Sequence, residues 1–196
     1  MPRVSREQME KNHERIMETS ARLFRERGLS GVSVADLMAA AGLTHGGFYG
    51  HFDSKDQLAA EATQQAFEET DARWMERMRT APDKRAKRAK IAEGYLSNRH
   101  RDHSQNGCAA VALAGDVARE PDGRPIRAVY AAGIESQVNI LAAVSDAATP
   151  AGQRKDAMVQ LALMLGAVNL ARATRGTALS DEILQAAREF LGAKAI

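Results

Sequence analysis

The segment Ser33–Leu58, SVADLMAAAGLTHGGFYGHFDSKDQL, constrains the fold of this chain more than any other. It holds three helix-start signals and one helix stop within the length of a single long helix. Ser33 reads as an N-cap with Asp36 three residues on, the reciprocal arrangement of a capping box. Gly42 follows as a C-terminal stop able to take positive φ. Thr44 opens a second short helix, about His45 to His51, and Ser54 with Gln57 opens a third. A short helix, a tight glycine turn and another short helix make a helix-turn-helix. Such a unit presents the start of its second helix to the DNA major groove.

The same residues resemble the DNA-binding head of the TetR/AcrR family of bacterial regulators. The resemblance rests on Ser33-Val34, Leu37, Ala41-Gly42-Leu43-Thr44, Gly46, Tyr49, His51-Phe52 and Lys55-Asp56-Gln57-Leu58, spaced without a gap. With the preceding helix it covers about residues 6–60. Beyond that, the chain follows the family in length and helical character, apart from a segment at Cys108. The resemblance implies a transcriptional repressor, with a head over residues 1–53 and a ligand-sensing and dimerisation domain over 54–196.

Composition agrees with an all-helical chain. Of 196 residues, 44% are hydrophobic and only five are Pro. A single Cys excludes an internal disulfide framework and fits a reducing compartment. The polar N-terminus and the lack of a long apolar run argue against a signal peptide or membrane span, so a cytoplasmic location is expected. Net charge is only +2, and residues 1–55 hold eight Lys/Arg against seven Asp/Glu. Nucleic-acid binding must therefore rest on where charges and helix N-termini sit. The three His of this region, His13, His45 and His51, are candidates to add charge at mildly acidic pH.

About nine helices are expected. The first follows Ser5, with Gln8 completing its cap, and carries the stripe Met9, Ile16, Ala21, Leu23 and Phe24 to its end at Gly28. A long helix runs from about Lys55 to Thr80. A fifth spans about Asp83 to Arg101 and contains the basic run Lys84-Arg85-Ala86-Lys87-Arg88-Ala89-Lys90, read mainly as a solvated face. Others cover about 108–119, 125–146 and 153–175, with Thr149-Pro150-Ala151-Gly152 as a loop. A last helix follows Ser180.

Within the head, the DNA-contact candidates are Ser33, Thr44, His45, Gly46, Gly47, Phe48, Tyr49, His51 and Lys55. Two adjacent glycines in a helix cost about 1 kcal/mol each relative to Ala. Close backbone approach to DNA explains that cost; simple fraying is the alternative. Tyr49 resembles the family's phosphate-contacting tyrosine, and Lys55 opposes the dipole at its helix start unless a phosphate lies nearby. Phe52 reads as core, while Phe48 is ambiguous.

The resemblance further implies a homodimer on a roughly palindromic operator, released by a small molecule. Met158, Leu161, Leu165, Val168 and Arg172, and Ile183, Leu184, Ala187 and Leu191, step by three and four as an interhelical seam does; such stripes also fill monomer cores. Candidate pocket residues are Phe67, Trp74, Tyr95, Cys108, Leu113, Tyr130, Met164 and Asn169. They are mostly apolar, which points to an apolar or aromatic effector, although each is also ordinary core material.

Gly107-Cys108 opens a helix and resembles a TetR subgroup that includes an electrophile-responsive repressor. His100, Arg101 and His103 precede it and would favour a thiolate. The alternative is a small buried hydrophobe. Two other function classes remain. His100, His103 and Cys108 form a conceivable Cys/His or metal site for an enzyme, but supply only three ligands without a carboxylate pair, so neither metal nor cofactor is expected. A purely structural helical protein is the other. Activation instead of repression depends on operator position and is invisible in the chain.

Overall fold

The computed structural model describes residues 5–194. The ends of the two expected domains, residues 1–4 and 195–196, lie outside the described residues. Among the described residues there are nine α-helices and two short 3-10 helices, and no strand. The α-helices are α1 Arg6–Arg27, α2 Val34–Ala40, α3 Lys55–Met78, α4 Lys84–Tyr95, α5 Asn98–Asp102, α6 Ala109–Arg119, α7 Pro125–Ala143, α8 Pro150–Ala173 and α9 Ala178–Lys194.

Local chemistry explains most of the boundaries. Ser5 accepts from the Gln8 amide at 3.2 Å, while the Gln8 side chain turns to Asn12 instead of closing a reciprocal box. Ser33 and Asp36 close theirs fully. Gly28 and Gly42 both take positive φ, 76° and 69°. Ser54 accepts from the Gln57 amide at 3.1 Å.

Three boundaries differ from expectation. The helix expected over 83–101 is two: α4 ends at Tyr95, and Ser97 caps α5 by accepting from the His100 amide at 3.2 Å. Thr149-Pro150 belongs to a helix start, since Thr149 accepts from the Gly152 amide and Pro150 occupies the first turn, where a missing N–H costs nothing. The element at His45–Gly50 is a 3-10 helix. Three glycines in six residues lack the propensity to hold an α-helix.

The head core joins Ile16, Phe24, Leu37, Met38, Phe48, Phe52 and Leu58, all buried. The 24-residue α3 runs on into the body, where Ala62, Ala66, Phe67 and Trp74 stay buried and α7 packs along it. α8 packs between α7 and α9.

The basic run on α4 is less solvated than expected. Arg88 is buried beside Asp146, and Lys84 donates to the Ser145 carbonyl. The stripes expected to form a seam mostly face inward. Leu161, Val168, Leu184, Ala187 and Leu191 are buried in the monomer, and Arg172 donates to the His100 and Arg101 carbonyls. The exposed large apolar residues of α8 and α9 are Met158, Val159, Leu170, Leu179 and Phe190. Spacing by three and four does not say which side of a helix meets its own chain.

Candidate nucleic-acid interface and ligand cavity

The tip of the head is the His45–Gly50 turn. Thr44 stands at its N-cap position but makes no capping bond, which leaves its hydroxyl exposed. His45, Gly46 and Gly47 are exposed beside it. Tyr49 is 69% exposed, unusual for an aromatic ring. It is held upright by Phe48, whose ring meets it edge-on at 5.2 Å.

The glycines at this tip are not explained by the protein itself. None of Gly46, Gly47 and Gly50 has positive φ. A β-carbon at Gly46 or Gly50 would meet nothing within 4 Å, and at Gly47 only ordinary contacts beyond 3.5 Å. Neither backbone geometry nor internal packing requires glycine here.

Four expectations change. Phe48 is wholly buried, so its role moves from touching DNA to supporting Tyr49. Lys55 is half-buried and donates to the Leu29 carbonyl at 2.6 Å, which gives it a role as a strut between α3 and the α1–α2 loop. The Ser33 hydroxyl proton is committed to Asp36 at 2.6 Å. This bond, followed by the Ser33 backbone amide, lowers the Asp36 carboxyl below its usual range. Burial, then the neighbouring His13, lowers the His51 imidazole, so His51 resists the charge gain expected in mild acid.

The pocket residues divide. Trp74, Tyr95 and Cys108 line one cavity of about 410 Å³ between α3, α4 and the α5–α6 connection. Phe67 borders a different depression, with its ring seated against Gly133 and edge-on to Tyr130 at 5.6 Å. Tyr130 and Asn169 border a third, and the Tyr130 hydroxyl donates to the Ala110 carbonyl. Leu113 and Met164 are wholly packed core. The shared cavity is not the apolar one expected: Arg73, Arg77 and Arg99 line it as well. Sequence reading missed them because a helix's charged residues look alike whether they face solvent or a hollow.

His100 fastens the cavity wall. Its Nδ1 lies 2.7 Å from the Tyr95 carbonyl, and its Nε2 lies 3.0 Å from the Cys108 amide. The Cys108 amide can only donate, so Nε2 accepts and Nδ1 carries the proton. Burial pushes this imidazole down to about 4. With both nitrogens engaged, His100 has no lone pair for a metal or a thiol proton. Arg101 is likewise committed, to Asp102 and Asp181. The expected cationic flank of Cys108 therefore comes instead from Arg73 and Arg172. The thiol is buried and accepts from Gln137 Nε2 at 3.3 Å.

Head and cavity are joined by α6. Gly107 and Cys108, which lead into it, border the cavity, and Asp116, nearer its far end, accepts from the Leu29 amide at 2.9 Å. Beyond it, Arg124 pairs with Asp56 at the start of α3.

Comparison with known proteins agrees with this geometry. Residues 16–62 match the model for bacterial regulatory proteins of the tetR family. The transcriptional repressor DhaR of Mycobacterium sp. (strain GP1) is 40% identical over 52 residues, 26% of each chain. The repressor KstR2 of Rhodococcus jostii is 34% identical over 71 residues, 36% of this chain and 35% of that one. The chain thus aligns with about a quarter to a third of these curated relatives' length. Solved structures match over nearly the whole chain. NemR of E. coli, in its reduced form, superposes with a TM-score of 0.78 at 22% identity, covering 92% of this chain and 95% of that one. A TetR regulator from Chloroflexus aurantiacus gives 0.79 at 24%, covering 95% of each. Residues 16–62 are thus similar in sequence to the tetR family of bacterial regulatory proteins, and the chain as a whole shares the fold of a solved TetR transcriptional regulator.

Proposed function

We propose that this protein is a cytoplasmic, homodimeric repressor that leaves a roughly palindromic operator when a small molecule occupies its body. The head comprises about residues 1–53 and the sensing and dimerising part residues 54–196. The exposed tip with unexplained glycines carries the DNA-binding reading. Glycines that neither φ nor packing requires fit a backbone that approaches a phosphate or base edge closely. Thr44 and Tyr49 are the phosphate donors in this reading, and His45 the base-reading side chain. Outward apolar residues on α8 and α9, among them Val159, Leu170 and Leu179, support dimerisation. The Asp116–Leu29 bond gives α6 a means of passing a cavity event to the head.

A second reading makes Cys108 the sensor. Its thiol is the chain's only one and lines the same cavity, so an electrophile admitted there meets it. One experiment tests both. Operator DNA from upstream of the protein's own gene is titrated by fluorescence anisotropy, with and without alkylation. Salt-sensitive binding to this DNA is expected, with weaker binding by Tyr49→Phe. No preference for it over random DNA refutes the repressor reading. Release by alkylation in wild type but not in Cys108→Ser establishes the thiol reading, and retained binding with confirmed alkylation removes it.

A further inference from the structure

The cavity beside Trp74 has a one-sided charge. Arg73 and Arg77 project from one face of α3, and Arg99 comes from α5; no Asp or Glu lines it. Counter-charge nearby is scarce. Glu69 lies 3.1 Å from Arg25 and 3.9 Å from Arg73, so one carboxylate serves two guanidinium groups. Among the described residues, Arg77 has no carboxylate within ion-pair distance.

The fold makes room for that unpaired cation. Gly94 sits in α4 opposite Arg77, and a β-carbon there would collide with the guanidinium. A glycine inside a helix costs about 1 kcal/mol relative to Ala, and here it lets Arg77 lie against the helix at the cavity wall. Next to it, Tyr95 is 2% exposed and its hydroxyl has no hydrogen-bond partner. Burying a hydroxyl unpaired costs about 1–3 kcal/mol. Burial, with Arg25 and Arg77 close by, lowers the Arg73 guanidinium from its usual range, while Arg73, Arg77 and Arg99 all keep solvent exposure, which places their charges at the open mouth of the cavity. The neutral His100 contributes no charge to offset or replace the arginines.

We propose that the cavity binds a small organic oxyanion, a carboxylate or phosphate on a compact apolar body. Arg77 takes the head group with Arg73 behind it, and the body lies against Trp74 and Tyr95. A guanidinium pairs with either oxyanion through two parallel N–H donors. The volume of about 410 Å³ suits a small molecule. As the identity of the effector, this rests on the ligand-released reading above; as a binding site, it stands without it.

The test uses benzoate, phenyl phosphate and the uncharged methyl benzoate, titrated into the full chain by calorimetry. Trp74 is the only tryptophan, so its emission reports independently on the cavity. Saturable binding of at least one anion is expected, about tenfold or more tighter than the ester. Arg77→Gln is expected to remove that preference, bringing anion affinity down to that of the ester. The two anions separate a carboxylate site from a phosphate site. Equal binding of ester and anions, no binding of either anion, or full anion binding by Arg77→Gln overturns the proposal. The same anion is then added to the protein–operator complex. Binding without release keeps the anion site and rejects the effector reading.

Discussion

Replacing Asp116 by alanine tests the link between body and head. One carboxylate oxygen accepts from the Leu29 amide at 2.9 Å, and the other pairs with Arg119 at 2.8 Å. Gly28, at φ 76°, lets the chain pass so close that a β-carbon there would sit 2.5 Å from the carboxylate. Leu29 is 6% exposed, so removing the acceptor strands a buried amide. That costs about 1–3 kcal/mol, while the Arg119 pair, largely exposed, adds little. A loss of about 2 kcal/mol corresponds to roughly 4–8 °C in a chain of this size. Thermal unfolding by circular dichroism at fixed protein concentration measures it, because the proposed dimerisation would make Tm concentration-dependent. Asp116→Asn retains an acceptor oxygen and should recover part of the loss. If Asp116→Ala stays within about 0.5 kcal/mol of wild type, Leu29 does not depend on this bond and the proposed route through α6 fails.

Gly46→Ala and Gly47→Ala separate stability from recognition. Each should leave stability unchanged or raise it by up to about 1 kcal/mol, since internal space is available. Each should weaken operator binding about tenfold or more in anisotropy titrations; unchanged affinity would assign the glycines to fraying. Stability should also depend on pH through His100. Its folded value of about 4 lies below the ordinary 6.5, so the unfolded chain binds more protons between them. The contribution is complete above pH 6.5 and is lost as pH falls toward 4, amounting to about 3 kcal/mol. His100→Asn should flatten that part of the Tm–pH curve; a curve of unchanged slope would show that His100 is not held neutral.

Legibility in the sequence followed the range of the interaction. The Ser33–Asp36 box, the stop at Gly42 and the cap at Ser54 join residues three or four apart, and side-chain chemistry settles them locally. Phe48 and Lys55 belong to the same motif, yet their roles depended on partners elsewhere: a shared core for one, the Leu29 carbonyl for the other. The pocket was read least well. Bulky apolar and sulfur-bearing side chains marked Trp74, Tyr95 and Cys108, but also Leu113 and Met164, which are core.

The sequence by itself determined the all-helical class, the helix-turn-helix and its tip, because capping, turn geometry and hydrophobic period act over a few residues. Tertiary structure decided which face of α8 and α9 turns inward. It also decided that Arg77 lies against Gly94 without a carboxylate, and that His100 is fixed neutral between Tyr95 and Cys108. Charge and polarity become informative only once burial is known. A buried imidazole such as that of His100 is held neutral where a solvated one gains a proton, and only the packed chain shows which of the two it is.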